Sequence, residues 1–146
     1  MRKVEEAVLF FQEGHNCAQS IVAAYGPELG LEKNLAFRVT QGLGGGMGRL
    51  AGVCGAVSGA ILVIGLKTVH SEGIPDREVK AKTYETVREF VARFKERNSS
   101  IECREILGCD ISTPEGYKTA REEKLLDNRC PKFVEDAADI LEELFP

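Results

Sequence analysis

The sequence contains no Cys-x-x-Cys pair and only two histidines, although it has five cysteines. Zinc fingers and ferredoxin-type proteins are identified by closely spaced ligands, so neither class can be assigned from local spacing here. The sequence also lacks Cys-x-x-Cys-His, so covalently attached c-type haem is not expected. Any shared chemistry of the cysteines must therefore depend on the fold that brings them together.

Long apolar segments and an excess of positive charge are also missing. The most apolar segment, residues 53–66, has 14 residues, fewer than the roughly 20 that span a bilayer as a helix. The N-terminal residues show no sustained apolar region with a cleavage site, so no secretory signal is expected. The formal net charge of -4 gives no electrostatic reason for nucleic-acid binding. We therefore predict a cytoplasmic protein without membrane insertion or a nucleic-acid partner.

No segment of useful length alternates apolar and polar residues in the way that a half-buried strand does. Apolar residues instead recur with helical spacing, and 146 residues suffice for one domain with a substantial core. We predict an all-α bundle of about six or seven helices in a single domain, residues 1–146. The expected helical segments are 4–11, 18–25, about 32–41, about 52–66, 75–98, about 101–107, a short helix from 113, and a last helix from 130.

A glycine-rich segment, here called the glycine loop (residues 42–51), directly precedes the apolar segment that contains Cys54. A phosphate-binding loop requires a lysine, and residues 42–66 contain none. The partial dinucleotide pattern "GMGRLA" lacks the preceding strand that this motif needs, so no nucleotide is expected. The glycines form either a flexible connector or a wall that lets the backbone approach a group bound at Cys54. In the second case the expected contacts are Gly45, Gly46 and Gly55.

Gly55 and Gly59 are four residues apart in the predicted apolar helix. This spacing gives the helix a smooth face on which another helix can lie close, either in the core or across a dimer interface. We expect a homodimer.

Four of the five cysteines are predicted to lie at the beginning of helices. Asn16 is the expected N-cap of one helix, and a second helix follows the glycine loop. Ser99 with Glu102 forms an expected capping box for a third, and the fourth is expected to start at Pro131. A helix N-terminus favours thiolate over thiol, and the thiolate is the form that binds metal and attacks disulfides. Cys109 follows Gly108 at a predicted helix C-terminus, where the helix dipole opposes a thiolate, so we do not group it with the other four. The four cysteines are Cys17, Cys54, Cys103 and Cys130.

Three further residues have open interpretations. His15, two residues before Cys17, either orients or replaces a ligand or is a surface histidine. Arg49 either offsets negative charge at a thiolate site or is a solvated loop residue. His70 is assigned no role.

The stretches "FFQEGHNCAQSIVAAYG", "GLGGGMGRLAGVCGAVSGAILVIGL", "IECREILGCDI" and "RCPKFVEDAADILEEL" together resemble the C_GCAxxG_C_C family of redox-active proteins. Its central motif corresponds to "CGAVSG", residues 54–59. The resemblance implies that Cys17, Cys54, Cys103 and Cys130 are the family cysteines. It also implies a helical domain related to part of the split-Soret cytochromes, which are dimeric and bind haem and an iron–sulfur centre.

Three functions are compatible with these features. In the first, the four cysteines ligate an iron–sulfur cluster that transfers electrons to a redox partner protein, which the sequence does not identify. In the second, two of them form a metal-free dithiol and disulfide couple. In the third, they bind zinc and stabilise a helical interaction module. Whether the protein is an enzyme is left open.

Overall fold

The computed structural model describes residues 1–68 and 74–146. The all-α fold is confirmed: neither range contains a β-strand, and together they form eight α-helices. This number matches the eight expected segments and exceeds the figure of about six or seven predicted for the bundle. No helix within these ranges is long and apolar enough to cross a bilayer. The helices are α1 (Lys3–Gln12), α2 (Cys17–Tyr25), α3 (Lys33–Thr40), α4 (Gly55–Lys67), α5 (Asp76–Asn98), α6 (Cys103–Leu107), α7 (Pro114–Glu122) and α8 (Leu125–Leu144).

Helices α2 and α4 pack closely at the centre of the fold because small residues face each other. A β-carbon added at Gly59 would lie 3.0 Å from the α-carbon of Ala18 and 3.1 Å from its carbonyl oxygen. One added at Gly55 would lie 3.1 Å from the Ala18 amide nitrogen. The smooth face predicted from the glycine spacing is therefore covered within the chain, in the core.

The long helix α5 is amphipathic, and it buries Phe90 and Phe94 completely. On its polar side Arg93 and Arg97 both pair with Glu143 of α8. These side chains are about one-third to two-fifths exposed, and exposed ion pairs contribute only about 0 to 1 kcal/mol. The apolar stripe of α5 is therefore the main source of its attachment to the core.

The last helix begins earlier than predicted. We expected Cys130 to cap it with Pro131 at the first position, but α8 starts at Leu125 and contains both residues. Proline inside a helix removes one backbone hydrogen bond. Leu125 and Leu126 pack against the core, and we attribute the extra helical turn to this burial. Cys130 consequently lies in the helix interior, so three rather than four cysteines lie at helix N-termini.

The predicted capping box of Ser99 with Glu102 is also wrong. Ser99 ends α5 in a left-handed conformation, with φ of 73°. The hydroxyl of Ser100 instead accepts a hydrogen bond from the Glu102 amide at 2.9 Å. Helix α6 still begins at Cys103, as the sequence indicated to within two residues.

Candidate functional site

A cavity of about 480 Å³ lies between the glycine loop and helices α2, α4, α6, α7 and α8. All four cysteines singled out from the sequence line it. Cys54, Cys103 and Cys130 are buried, and Cys17 is half-buried. The fold thus brings together thiols that are as many as 113 positions apart in the sequence (130 minus 17).

Cys54 and Cys103 are placed side by side by a short backbone pairing. The Cys54 amide donates to the carbonyl of Ile101 at 2.8 Å, and the Cys103 amide donates to the carbonyl of Gly52 at 2.6 Å. The guanidinium of Arg104 adds hydrogen bonds to the carbonyls at the end of the glycine loop, at 3.1 Å. These bonds fix the beginning of α4 against the beginning of α6, which positions both thiols.

Cys17 is the first residue of α2 and is positioned by Asn16. The side chain of Asn16 accepts from the Gln19 amide at 2.8 Å, and Gln19 bonds back to the Asn16 amide at 3.0 Å, so the predicted N-cap is confirmed as a full capping box. The same side chain donates to the carbonyl of Gln41 at 3.1 Å, just before the glycine loop. Asn16 therefore links the Cys17 helix start to the loop.

Cys130 reaches the cavity from the second turn of α8, where Leu126 and Phe133 also line the wall. The spacing of these three residues, i, i+4 and i+7, places them on one face of the helix. A helix that began at Cys130 would not have provided Leu126 at this wall.

The glycine loop closes the cavity through a run of left-handed backbone conformations. Gly46 has φ of 70°, and a β-carbon there would lie 2.5 Å from the Gly52 nitrogen and 2.9 Å from the β-carbon of Cys103. Only glycine fits this position without displacing the Cys103 side chain. Gly45, Gly46 and Gly55 all line the cavity. The amides of Gly45 and Gly46 donate to no acceptor in the described parts of the chain.

The thiols of Cys17 and Cys54 have opposite pKa shifts. Hydrogen bonding with the thiols of Cys130 and Cys54, together with burial, raises the pKa of Cys17 well above its usual value. Hydrogen bonding from Cys17 lowers the pKa of Cys54, and the amides of Ala56 and Val57 at the start of α4 add to this effect. Cys54 is therefore the thiol of this pair that loses its proton first.

Burial raises the pKa of Cys103 to about 12, and the nearby thiols of Cys54 and Cys130 contribute to the shift. Cys17 and Cys103 both begin helices, and yet neither has the lowered pKa that the helix N-terminus led us to expect. That expectation holds for Cys54 alone. Burial and thiol neighbours outweigh the helix dipole at the other two positions.

We expect the raised pKa of Cys103 to make the folded protein sensitive to alkali. Between about pH 9 and 12 the unfolded chain has lost the Cys103 proton while the folded chain retains it, so the free energy of unfolding falls as pH rises. Urea unfolding at pH 8, 9 and 10 should show a steeper decline for the wild type than for Cys103→Ala. Equal pH dependence in the two proteins would contradict the raised pKa.

Two other candidates from the sequence, Cys109 and His15, do not line the cavity. Cys109 does not line the cavity, and its thiol donates to the carbonyl of Gly116 at 3.0 Å. The ring of His15 stacks on Phe37 with 4.0 Å between centroids and packs edge-on against Phe10. His15 is also absent from the cavity lining, which does not fit a ligand-orienting role. His70 lies outside the described residues.

Among the described residues, thiols are the only strong metal ligands of the cavity wall, since no described histidine, aspartate or glutamate lines it. Within residues 1–68 and 74–146, no group of three or more such side chains is arranged to hold a single metal ion. A structural zinc ion requires all its sulfur ligands at about 2.3 Å from one point. In an iron–sulfur cluster the thiolates bind different iron atoms and need not converge on one point.

Sequence reasoning missed Tyr117, which lines the cavity from α7. Its ring lies under the guanidinium of Arg49, with 3.9 Å from the guanidinium carbon to the ring centroid. Tyr117 lies in a short polar helix, 68 positions from Arg49 (117 minus 49). No local pattern in the sequence could have indicated this contact.

Comparison with known proteins agrees with the arrangement of the cysteines. Residues 15–144 match the sequence profile of the family described as "Putative redox-active protein (C_GCAxxG_C_C)". No curated protein and no solved structure was found to match the chain. The matched range covers most of the chain and includes all four cysteines that line the cavity. The chain therefore belongs to the C_GCAxxG_C_C family of redox-active proteins.

Proposed function

We propose that this protein transfers electrons through an iron–sulfur cluster ligated by Cys17, Cys54, Cys103 and Cys130. The main support is that four thiols line one cavity, with no imidazole or carboxylate from the described part of the chain. Soft thiolate ligands select iron–sulfur clusters, zinc or copper(I) over hard cations. A dithiol needs only two of these thiols, whereas a cluster uses all four.

The surroundings of the thiols suit such a group. When bound, an iron–sulfur cluster supplies electron transfer at a potential that depends on hydrogen bonds to its sulfurs and on solvent exposure. The burial of three thiols limits the access of water. Gly45 and Gly46 line the cavity, and no side chain of theirs occupies the space. The homodimer and the redox partner protein both stay predictions.

A metal-free dithiol is the second candidate, because the thiols of Cys130 and Cys54 interact with that of Cys17 and raise its pKa. The lowered pKa of Cys54 favours its thiolate. This thiolate would attack a substrate disulfide and release one substrate thiolate, leaving a mixed disulfide. Cys17 would then displace the second substrate thiol and form the Cys17–Cys54 disulfide, so that two electrons pass from the protein to the substrate.

Metal analysis of protein purified without oxygen tests the cluster. We expect the wild type to be coloured and to contain iron and acid-labile sulfide, because four thiolates in one cavity provide a complete ligand set. Cys54→Ser should lose most of the iron and the visible absorption. Cys109→Ser is the matched control, since Cys109 lies outside the cavity, and it should retain both.

Protein that stays colourless and free of iron after reconstitution with iron and sulfide would overturn the cluster. A measurable two-electron thiol potential, lost in both Cys17→Ser and Cys54→Ser, would then support the dithiol. Zinc that is bound in the wild type and lost in Cys54→Ser would instead support the structural zinc site. Oxygen must be excluded throughout, because thiolates and clusters are readily oxidised.

A further inference from the structure

Among the described residues, Arg49 is the one permanently charged side chain that lines the cavity. Arg49 lines the cavity and is exposed, so it lies where the cavity opens to solvent. Within the two described ranges its guanidinium makes no ion pair and no hydrogen bond, and its packing contact is with the ring of Tyr117. An arginine held at a cavity opening without a carboxylate is available to an anion from solution.

The position of Arg49 is fixed at some energetic cost. Its backbone has φ of 64°, and Met47 and Ala51 are also left-handed. Such a conformation is unfavourable for a residue other than glycine. The amide of Arg49 donates to the carbonyl of Gly44 at 3.0 Å, which holds the turn. Residues kept in costly conformations cluster at functional sites.

Stacking on Tyr117 leaves the guanidinium able to bind a carboxylate. The guanidinium carbon lies 3.9 Å from the centroid of the Tyr117 ring, a distance typical of stacking, and in a stacked guanidinium the N–H donors lie in its plane and point away from the ring. A carboxylate can therefore accept two parallel hydrogen bonds while the stack is kept. Because the stack already restricts the Arg49 side chain, less conformational entropy is lost when the carboxylate binds.

The rest of the wall is largely apolar, and the cavity volume is within the range of sites for small organic molecules. An inorganic anion would leave this apolar surface uncovered, whereas a carboxylate with an apolar body would cover it. The apolar residues are Phe11, Ile106, Leu107, Ile111, Leu126 and Phe133.

We propose that the cavity binds a small organic carboxylate, with its carboxylate on Arg49 and its apolar body on this wall beside the thiols. This ligand is recognised by Arg49 and the apolar wall rather than by the thiols, so the inference goes beyond the proposed electron transfer. It assigns to the cavity a binding function that the cysteines alone do not supply.

Calorimetric titration of the full chain, purified without oxygen and kept reduced, tests this site. We expect affinity to rise from acetate to hexanoate and phenylacetate, because a larger apolar body covers more of the wall. Phenylacetamide, which has the same shape without the charge, should bind at least about tenfold more weakly than phenylacetate. Inorganic phosphate should also bind more weakly than phenylacetate.

Two variants separate the role of Arg49 from a general effect of charge. Arg49→Gln should weaken phenylacetate binding about tenfold or more and leave the melting temperature nearly unchanged. Arg121→Gln is the matched control, because Arg121 lies 5.7 Å from the same Tyr117 ring but does not line the cavity. It should bind as the wild type does.

Three results would overturn the proposal: no binding of any of the three carboxylates at millimolar concentration, equal affinity in wild type and Arg49→Gln, or phosphate binding as tight as phenylacetate. The assay requires no iron and no electron transfer. Its failure would therefore leave the cluster proposal intact, and a metal-free protein that bound phenylacetate through Arg49 would refute only the cluster.

Discussion

Replacing Gly59 with leucine is expected to destabilise the fold by about 3 kcal/mol, near the upper end of the usual range for overpacked cores. The first added carbon would lie 3.0 Å from the backbone of Ala18, which cannot move aside as a flexible side chain can. Helices α2 and α4 would have to separate. For a chain of this length we expect the melting temperature to fall by roughly 10 °C, measured by circular dichroism on the reduced protein.

Gly65→Leu on the same helix is the matched control. A β-carbon at Gly65 has no neighbour within 4 Å among the described residues, and Gly65 is exposed. Replacing a helical glycine by a better helix former should stabilise the fold by roughly 0.5 kcal/mol. Similar melting temperatures for Gly59→Leu and the wild type would show that the close packing of α2 on α4 is not required.

The sequence predicts the close packing at Gly59 because spacing of small residues along one helix is a local property. The same is true of the amphipathic helices and of the Asn16 cap beside Cys17. The partner of the smooth face is not a local property, so core and dimer interface were both open. In the structure Gly59 packs against Ala18, which is 41 positions away in the sequence (59 minus 18). The smooth face therefore lies in the core.

The site is harder to predict than the helices, for the same reason. Cys54 and Cys103 adjoin because residues 52–54 pair with residues 101–103, and no local motif marks two such short segments. At Cys130 a local rule failed, because the preference of proline for the first turn of a helix was overridden by packing of the preceding leucines. The family resemblance identified the four cysteines but not the geometry that joins them.

The electrostatics of the thiols depend still less on local sequence. A helix N-terminus lowers the pKa of a cysteine when its amides face the sulfur, and at Cys54 the amides of Ala56 and Val57 do so. At Cys103 the loss of hydration on burial dominates. As pH rises, Cys54 therefore loses its proton first, while Cys17 and Cys103 keep theirs to higher pH.

This division should be visible in the rates of alkylation. At pH 8 a thiol with a pKa of about 12 is almost entirely protonated, whereas the lowered pKa of Cys54 gives it a much larger thiolate fraction. The lower intrinsic nucleophilicity of the less basic thiolate offsets only part of this difference. Cys54 should therefore react at least several-fold faster than Cys103.

The measurement is alkylation of the reduced, metal-free protein by iodoacetamide between pH 6 and 10, with each site followed by peptide mass spectrometry. Both thiols line the same cavity, so the reagent reaches them through the same opening and Cys103 serves as the internal control. Its rate should still rise about tenfold per pH unit at pH 10, where that of Cys54 has levelled off.

Cys17→Ala removes the hydrogen bond that lowers the pKa of Cys54 and should slow the reaction of Cys54 at pH 7 several-fold. Equal rates at the two sites at pH 8, or an unchanged Cys54 profile in Cys17→Ala, would show that the hydrogen bond from Cys17 does not set the reactivity of this thiol.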